Sequence, residues 1–218
     1  MTRDLLVLAA ATATLATLVL VDARATAVPG VGAAGGNVGR HGVLVYLEGV
    51  PGPDAEPPAA HARILQKDLT FSPDVSIMIK GTTVDFPNDD KVFHNVFSLS
   101  EPARFDLGLY KSGDSKSVQF NRPGVVDIYC NIHPQMAAKV KVLDTRYFAI
   151  STETGAFFIP NVPSGTYPIV AWQPYGEPAR GTITVGAGQT TNVTLALPPP
   201  EAKGRHLRKD GTPYGRYQ

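Results

Sequence analysis

A 218-residue chain with a net charge of +1 has no long-range field with which to gather nucleic acid or an anionic membrane. Its 21 glycines and 19 prolines exceed the roughly 12% that this pair makes up in average proteins, which points to many short strands joined by tight turns. A single cysteine excludes an intramolecular disulfide framework.

The chain opens as an export signal over residues 1–27. Arg3 begins a short basic region, Leu5 to Val21 is uncharged and apolar or small, and Ala25-Thr26-Ala27 offers a small-x-small cleavage site. The apolar run is short for a membrane span, so cleavage with no stable membrane insertion afterwards, and a periplasmic or secreted product, are expected. In an oxidising compartment a lone thiol such as Cys130 is an intermolecular bridge, a reactive group or a metal ligand.

Residues 28–39 are rich in Gly and Ala, lack any period and read as a flexible lead-in. Val43 to Leu47 is an apolar strand, followed by a Pro-rich loop from Pro51 to Ala60. Val75, Ile77 and Ile79 then alternate with Ser76, Met78 and Lys80, which puts Met78 on a polar face. Gly81 breaks the run, and Thr82, Val84 and Phe86 alternate before the turn Pro87-Asn88-Asp89-Asp90. Further strands fall at Val92 to Phe97, around Val118 and Phe120, over Val125 to Cys130 after the Pro123-Gly124 turn, and at Ala138, Val140 and Val142. Together these predict an all-β sandwich over 40–144. A second, smaller β-sandwich-like unit is expected over 145–198, which at this size must pack on other elements, with the Val43 strand a candidate to be shared. Pro198-Pro199-Pro200 closes it. The tail 199–218 has five basic and two acidic residues from Glu201 onward and reads as disordered.

The chemistry-bearing segment is Tyr129-Cys130-Asn131-Ile132-His133-Pro134-Gln135-Met136, with Cys, His and Met at intervals of three. His94 lies upstream on the Val92–Phe97 strand. Two imidazoles and a thiolate in a plane, with a weak thioether on the axis, form the blue-copper donor set, and the soft sulfurs suit Cu(I). Strand parity puts Cys130 on one face with Val126 and Ile128, and His94 on one face with Val92 and Val96. Competing chemistries fit less well. A binuclear copper centre needs two cysteines. Catalytic zinc wants an open position and a base, and methionine is a poor zinc ligand. A Cys130–His133 nucleophile pair lacks an orienting third group. His41, His61 and His206 read as surface residues.

Several pieces carry a family resemblance: Pro87-Asn88, His94-Asn95-Val96, Pro123-Gly124, Tyr129-Cys130 and the run Cys130-x-x-His133-Pro134-x-Met136. Over Ala62 to Leu143 the chain resembles the cupredoxins, with a ligand loop of the amicyanin type. The resemblance implies a Greek-key sandwich holding one copper ion on His94, Cys130, His133 and Met136, with Cys130 equatorial and Met136 axial. It implies that Asn95 ties the two ligand segments together. It also implies that His133 passes electrons through an apolar patch of Ile132, Pro134 and Leu109. The expected function is non-enzymatic electron transport between a redox donor and an acceptor protein; copper storage, delivery or sensing, or a structural β-module, is the alternative. Thr152 to Phe157 and Phe158 to Tyr167 are similar to transthyretin-like or carboxypeptidase-regulatory-like β-domains, which are spacers or docking units.

Overall fold

The computed structural model describes residues 6–7, 30–204 and 206–214. The expected signal, 1–27, therefore lies outside the described residues apart from Leu6–Val7, a two-residue strand running parallel to Val75–Ile79. Among the described residues no helix is long and apolar enough to cross a membrane. Among the described residues all the regular structure is β, and the chain divides into two units, one holding Leu6–Val7, Ala55–Asp144 and the chain from Lys203, the other holding residues 30–54 and Thr145–Ala202.

In the first unit, one sheet orders Leu6–Val7, Val75–Ile79, Ala137–Leu143, Gly124–Tyr129, His94–Ser98 and Phe105–Tyr110. A second sheet orders Ser115–Phe120, Thr82–Pro87 and Ala62–Arg63. The alternation read from Thr82, Val84 and Phe86 appears as every second residue buried, and the same holds for Val126 and Ile128. Their side chains meet Phe120, Val96 and Val140 in one core. Phe86 and Phe120 are fully buried, each contributing about 1.5–3 kcal/mol through the area it removes from water. Met78 belongs to this core rather than to a polar face. Its strand is covered on both sides, with Ser76 and Met78 buried on one face and Val75 and Ile77 on the other.

The second unit stacks the sheet Phe148–Ile150, Leu44–Leu47, Gly165–Trp172, Ala179–Val185 on the sheet Ala156–Pro163, Val31–Asn37, Thr190–Thr194. Its core joins Val45, Leu47, Ile159, Ile169 and Ile183. Leu44–Leu47 pairs with Phe148–Ile150 and Gly165–Trp172, so the boundary expected at residue 40 is displaced: this strand is part of the second unit.

The expected flexible lead-in is also corrected. Residues 31–37 are the central strand of their sheet, antiparallel to Ala156–Pro163 and parallel to Thr190–Thr194. Small residues serve close approach here rather than mobility. A Cβ on Gly32 would lie 2.2 Å from the Gly186 carbonyl oxygen, and one on Gly36 only 1.8 Å from that of Val193. Without a side chain to show periodicity, such a strand is invisible to hydrophobic patterning.

The tail is the third correction. The prolines expected to end the ordered part are pinned: the Pro198 carbonyl accepts from the Arg40 guanidinium at 2.7 Å and from Gln173 Nε2 at 2.9 Å. Beyond them, Lys203 to Tyr214 belongs to the first unit. Two basic residues that suggested a solvated tail have acidic partners there, Lys203 with Asp74 and Lys209 with Asp106, and His206 and Tyr214 supply aromatic packing.

Candidate metal centre

His94 opens the strand His94–Ser98, and Cys130 directly follows Gly124–Tyr129, which pairs with it at Tyr129 and Phe97. The two ligand-bearing segments are thereby neighbours in one sheet. The chain then turns back into Ala137–Leu143, and the turn is closed by the Met136 amide donating to the His133 carbonyl at 3.1 Å and the Cys130 amide donating to the Met136 carbonyl at 3.2 Å. Cys130 shares the buried core with Val126 and Ile128, as strand parity requires. Val96 is buried with His94, but Val92 is 44% exposed because it precedes the strand.

His94 Nδ1 lies 3.0 Å from His133 Nδ1, and Cys130 Sγ lies 3.6 Å from the same His133 nitrogen. Ligand atoms of His94, Cys130 and His133 all fall within 4.8 Å of one another. His94, Cys130 and Met136 have no solvent exposure, while His133 is half-buried. The other nitrogen of His94, Nε2, sits 2.8 Å from Asp90 Oδ2. A carboxylate accepts only, so Nε2 carries the proton and the Nδ1 lone pair faces inward. Two imidazole nitrogens and a sulfur converging, two of the three from fully buried side chains, match the donor set of a cuprous or cupric ion, so the residues fit that group.

Burial works against the Asp90 carboxylate, but the Leu69 amide, His94 and the Asp68 amide outweigh it and hold its pKa below the usual carboxylate value. The two amides donate to it at 2.9 and 3.0 Å. Burial, and after it the neighbouring His94, lowers the His133 pKa, with Asp90 acting in the opposite sense. The neutral imidazole so favoured is the ligating form. Burial, with Asp127 beside it, raises the Tyr129 pKa to about 12.

Asn95 Oδ1 accepts from the Asn131 amide at 3.3 Å, and its Nδ2 donates to Asp106 Oδ1 at 2.7 Å. One side chain next to His94 thus reaches the residue after Cys130. Leu109 is 58% exposed and pairs across the sheet with Asn95, whereas Ile132 and Pro134 are only partly exposed, and Ile132 leans on the core. Phe93, 57% exposed and adjacent to His94, is an apolar surface residue that sequence reading missed. Asp90 was missed as well, and Asn88 was read only as a turn residue and as part of the Pro87-Asn88 resemblance. Asn88 is fully buried and its Nδ2 donates to the carbonyls of Val92 and Tyr110, fixing the turn that carries Asp90. Of the remaining histidines, His61 pairs with Asp85 at 2.9 Å on the surface, and exposed His41 lies 3.5 Å from Glu153. His206, expected at the surface, is buried because it stacks on Tyr129.

Amicyanin-alpha of Methylorubrum extorquens is 33% identical to this chain over 91 residues, which make up 40% of this chain and 76% of the relative. This chain belongs to the amicyanin-like cupredoxins. Residues 131–198 match the family model of the carboxypeptidase regulatory-like domain. Among solved structures, the cupredoxin is similar to a copper-containing nitrite reductase from Thermus scotoductus, at 23% identity and a TM-score of 0.38. That similarity covers 44% of this chain and 28% of the reductase. A purple cupredoxin from Nitrosopumilus maritimus is 29% identical with a TM-score of 0.34, over 38% of this chain and 99% of that one.

The Asp90 contact makes a quantitative prediction for this cupredoxin. Asp90→Ala removes the partner that orients the His94 ring, and copper affinity is expected to fall about 10–100-fold. Competition against a chelator measures it. Asp90→Asn, which keeps an acceptor oxygen, is expected to recover most of the loss; an unchanged affinity in Asp90→Ala would show that the ring is held by its packing alone.

Proposed function

We propose that the protein is a type 1 copper protein that carries single electrons between an exported donor protein and an exported acceptor protein. The observation that carries this reading is the convergence of His94 Nδ1, His133 Nδ1 and Cys130 Sγ, with His94 and Cys130 fully buried and His133 half-buried. Copper bound there would supply one-electron chemistry between its cuprous and cupric forms. His94, Cys130, His133 and Met136 are the residues that would hold it, Met136 through its buried thioether. Each is anchored on a strand or in a hydrogen-bonded turn, so the protein resists rearrangement when the charge of the site changes. Cys130 and His94 are closed to water, and half-buried His133 provides the route outward, with Leu109 and Phe93 the exposed apolar residues next to Asn95 and His94. The second unit, which holds Thr145–Ala202, contributes none of these four donors. Export to the periplasm or beyond rests on the signal read over residues 1–27.

The test is the visible and EPR spectrum of the protein after addition of Cu(II), followed by voltammetry. An intense thiolate-to-copper charge-transfer band, a narrow copper hyperfine splitting and a reversible one-electron wave are expected. A colourless protein or an ordinary tetragonal copper signal would overturn the site. A blue protein that passes its copper to an acceptor apo-protein but gives no reversible wave would turn the reading to delivery.

A further inference from the structure

The chain from Lys203 to Tyr214 returns to the first unit and lies along the metal-ligand loop. Lys203 Nζ donates to the Ala137 carbonyl at 2.9 Å, just past Met136. The His206 ring stacks on Tyr129, with centroids 4.3 Å apart and planes at 19°. The Lys209 amide donates to Asn131 Oδ1 at 2.9 Å, and Lys209 Nζ reaches Asp106 Oδ2 at 2.6 Å. Tyr214 completes the set: its hydroxyl donates to the carbonyl oxygen of Cys130 at 2.5 Å, and its ring meets His206 edge-on at 5.2 Å.

The segment has its own internal frame. The Arg208 amide donates to the Thr212 carbonyl at 2.9 Å, the Gly211 amide returns to the Arg208 carbonyl at 2.9 Å, and Asp210 Oδ1 accepts from both the amide and the hydroxyl of Thr212. Asp210-Gly211 is turn chemistry, with Gly211 at a φ of +81°. The guanidinium of Arg208 lies 5.3 Å from the centre of the Tyr214 ring.

These contacts fall on the residues that flank the donors. Tyr129 and Asn131 are the neighbours of Cys130, and the Cys130 carbonyl is itself a partner. Asp106 holds Asn95, the neighbour of His94. The segment therefore braces both ligand-bearing strands from outside while leaving the donor atoms to the metal.

We propose that residues 203–214 are a strap that positions Cys130, with Tyr214, Lys209 and His206 as its positioning residues. The consequence for copper rests on the proposed function; the positioning itself does not. Cys130 is the only cysteine, so its thiol is a unique reporter. It is fully buried, and reagent reaches it only when the loop opens.

The experiment is the rate of labelling of metal-free protein by a disulfide reagent, compared between the parent chain, Tyr214→Phe and a chain ending at Ala202. Losing the part-buried hydroxyl, which bonds the Cys130 carbonyl and lies 3.3 Å from His206 Nδ1, is expected to raise the rate about tenfold in Tyr214→Phe. Removing the whole strap is expected to raise it further. In the copper-loaded proteins the same order is expected in the rate of copper loss to a chelator, with a shifted charge-transfer band. Should the truncated chain fail to fold, Tyr214→Phe alone decides. Unchanged labelling in Tyr214→Phe, with a blue parent protein, overturns the strap and leaves the copper site standing. Faster labelling in a protein that never turns blue supports the strap and overturns the copper reading instead.

Discussion

Cys130→Ser is expected to abolish the intense visible absorption of the copper-loaded protein altogether. That absorption arises from charge transfer between a thiolate sulfur and Cu(II), and Cys130 is the only thiol in the chain. Serine keeps the volume of the side chain nearly unchanged, so the core that Cys130 shares with Val126, Ile128 and Met136 is expected to stay closed. The expected product is a folded protein whose two histidines still bind Cu(II), but as a pale tetragonal complex with a wide hyperfine splitting. The soft sulfur that stabilises Cu(I) is gone, so the reduced form is also expected to lose its ion readily. Absorbance and EPR on one sample decide it: a Cys130→Ser protein that stayed blue would falsify the ligand assignment.

The largest structural effect is expected in the second unit, from Gly36→Val. The added Cβ would sit 1.8 Å from the Val193 carbonyl oxygen and 3.0 Å from the Phe157 ring. The first of these is backbone and cannot swing aside. The strand Val31–Asn37 pairs on both edges at this position, with Val193 on one side and Phe157 on the other. Accommodating the side chain means parting a ladder, at a cost above about 4 kcal/mol. The sole tryptophan, Trp172, lies buried on the Gly165–Trp172 strand of this unit, so its fluorescence reports on it. A red-shifted Trp172 emission under native conditions is expected. Gly39→Ala is the control: with φ at +70° and open space around the position, it costs about 1–2 kcal/mol. Equal denaturation midpoints for the two variants would show that the sheet can shift to admit the valine.

How much of this could be read in advance differed by element, for physical reasons. The strands around Val84, Val126 and Val140 face a core on one side, so period-two alternation exposed them. Cys130 and His133 were legible because chemically distinctive residues share one short turn, and His94 because the run His94-Asn95-Val96 resembles the family's first ligand segment. Asp90 was not legible. In the run Asn88-Asp89-Asp90 an acidic residue looks like an ordinary turn former, and only the fold brings it 2.8 Å from His94. The Val31–Asn37 strand failed for the opposite reason to the tail. In the strand, absent side chains concealed packing. In the tail, charged side chains concealed a few aromatic contacts, each meaningful only against a specific partner such as Tyr129.

The second unit is built from two stretches of chain with the sandwich of the first unit threaded between them. A polypeptide emerging from its N-terminal end exposes the strands Val31–Asn37 and Leu44–Leu47 before any of their partners at 148–194 has been made. Leu44–Leu47 is wholly apolar in Leu44, Val45 and Leu47, and its edges stay unpaired through that interval, a surface suited to a holding chaperone. Residues 55–144 can meanwhile condense as soon as they appear. Lys203 to Tyr214 is made only after the ligand loop and the whole of 145–202, so through that interval the loop of the nascent chain lacks this brace.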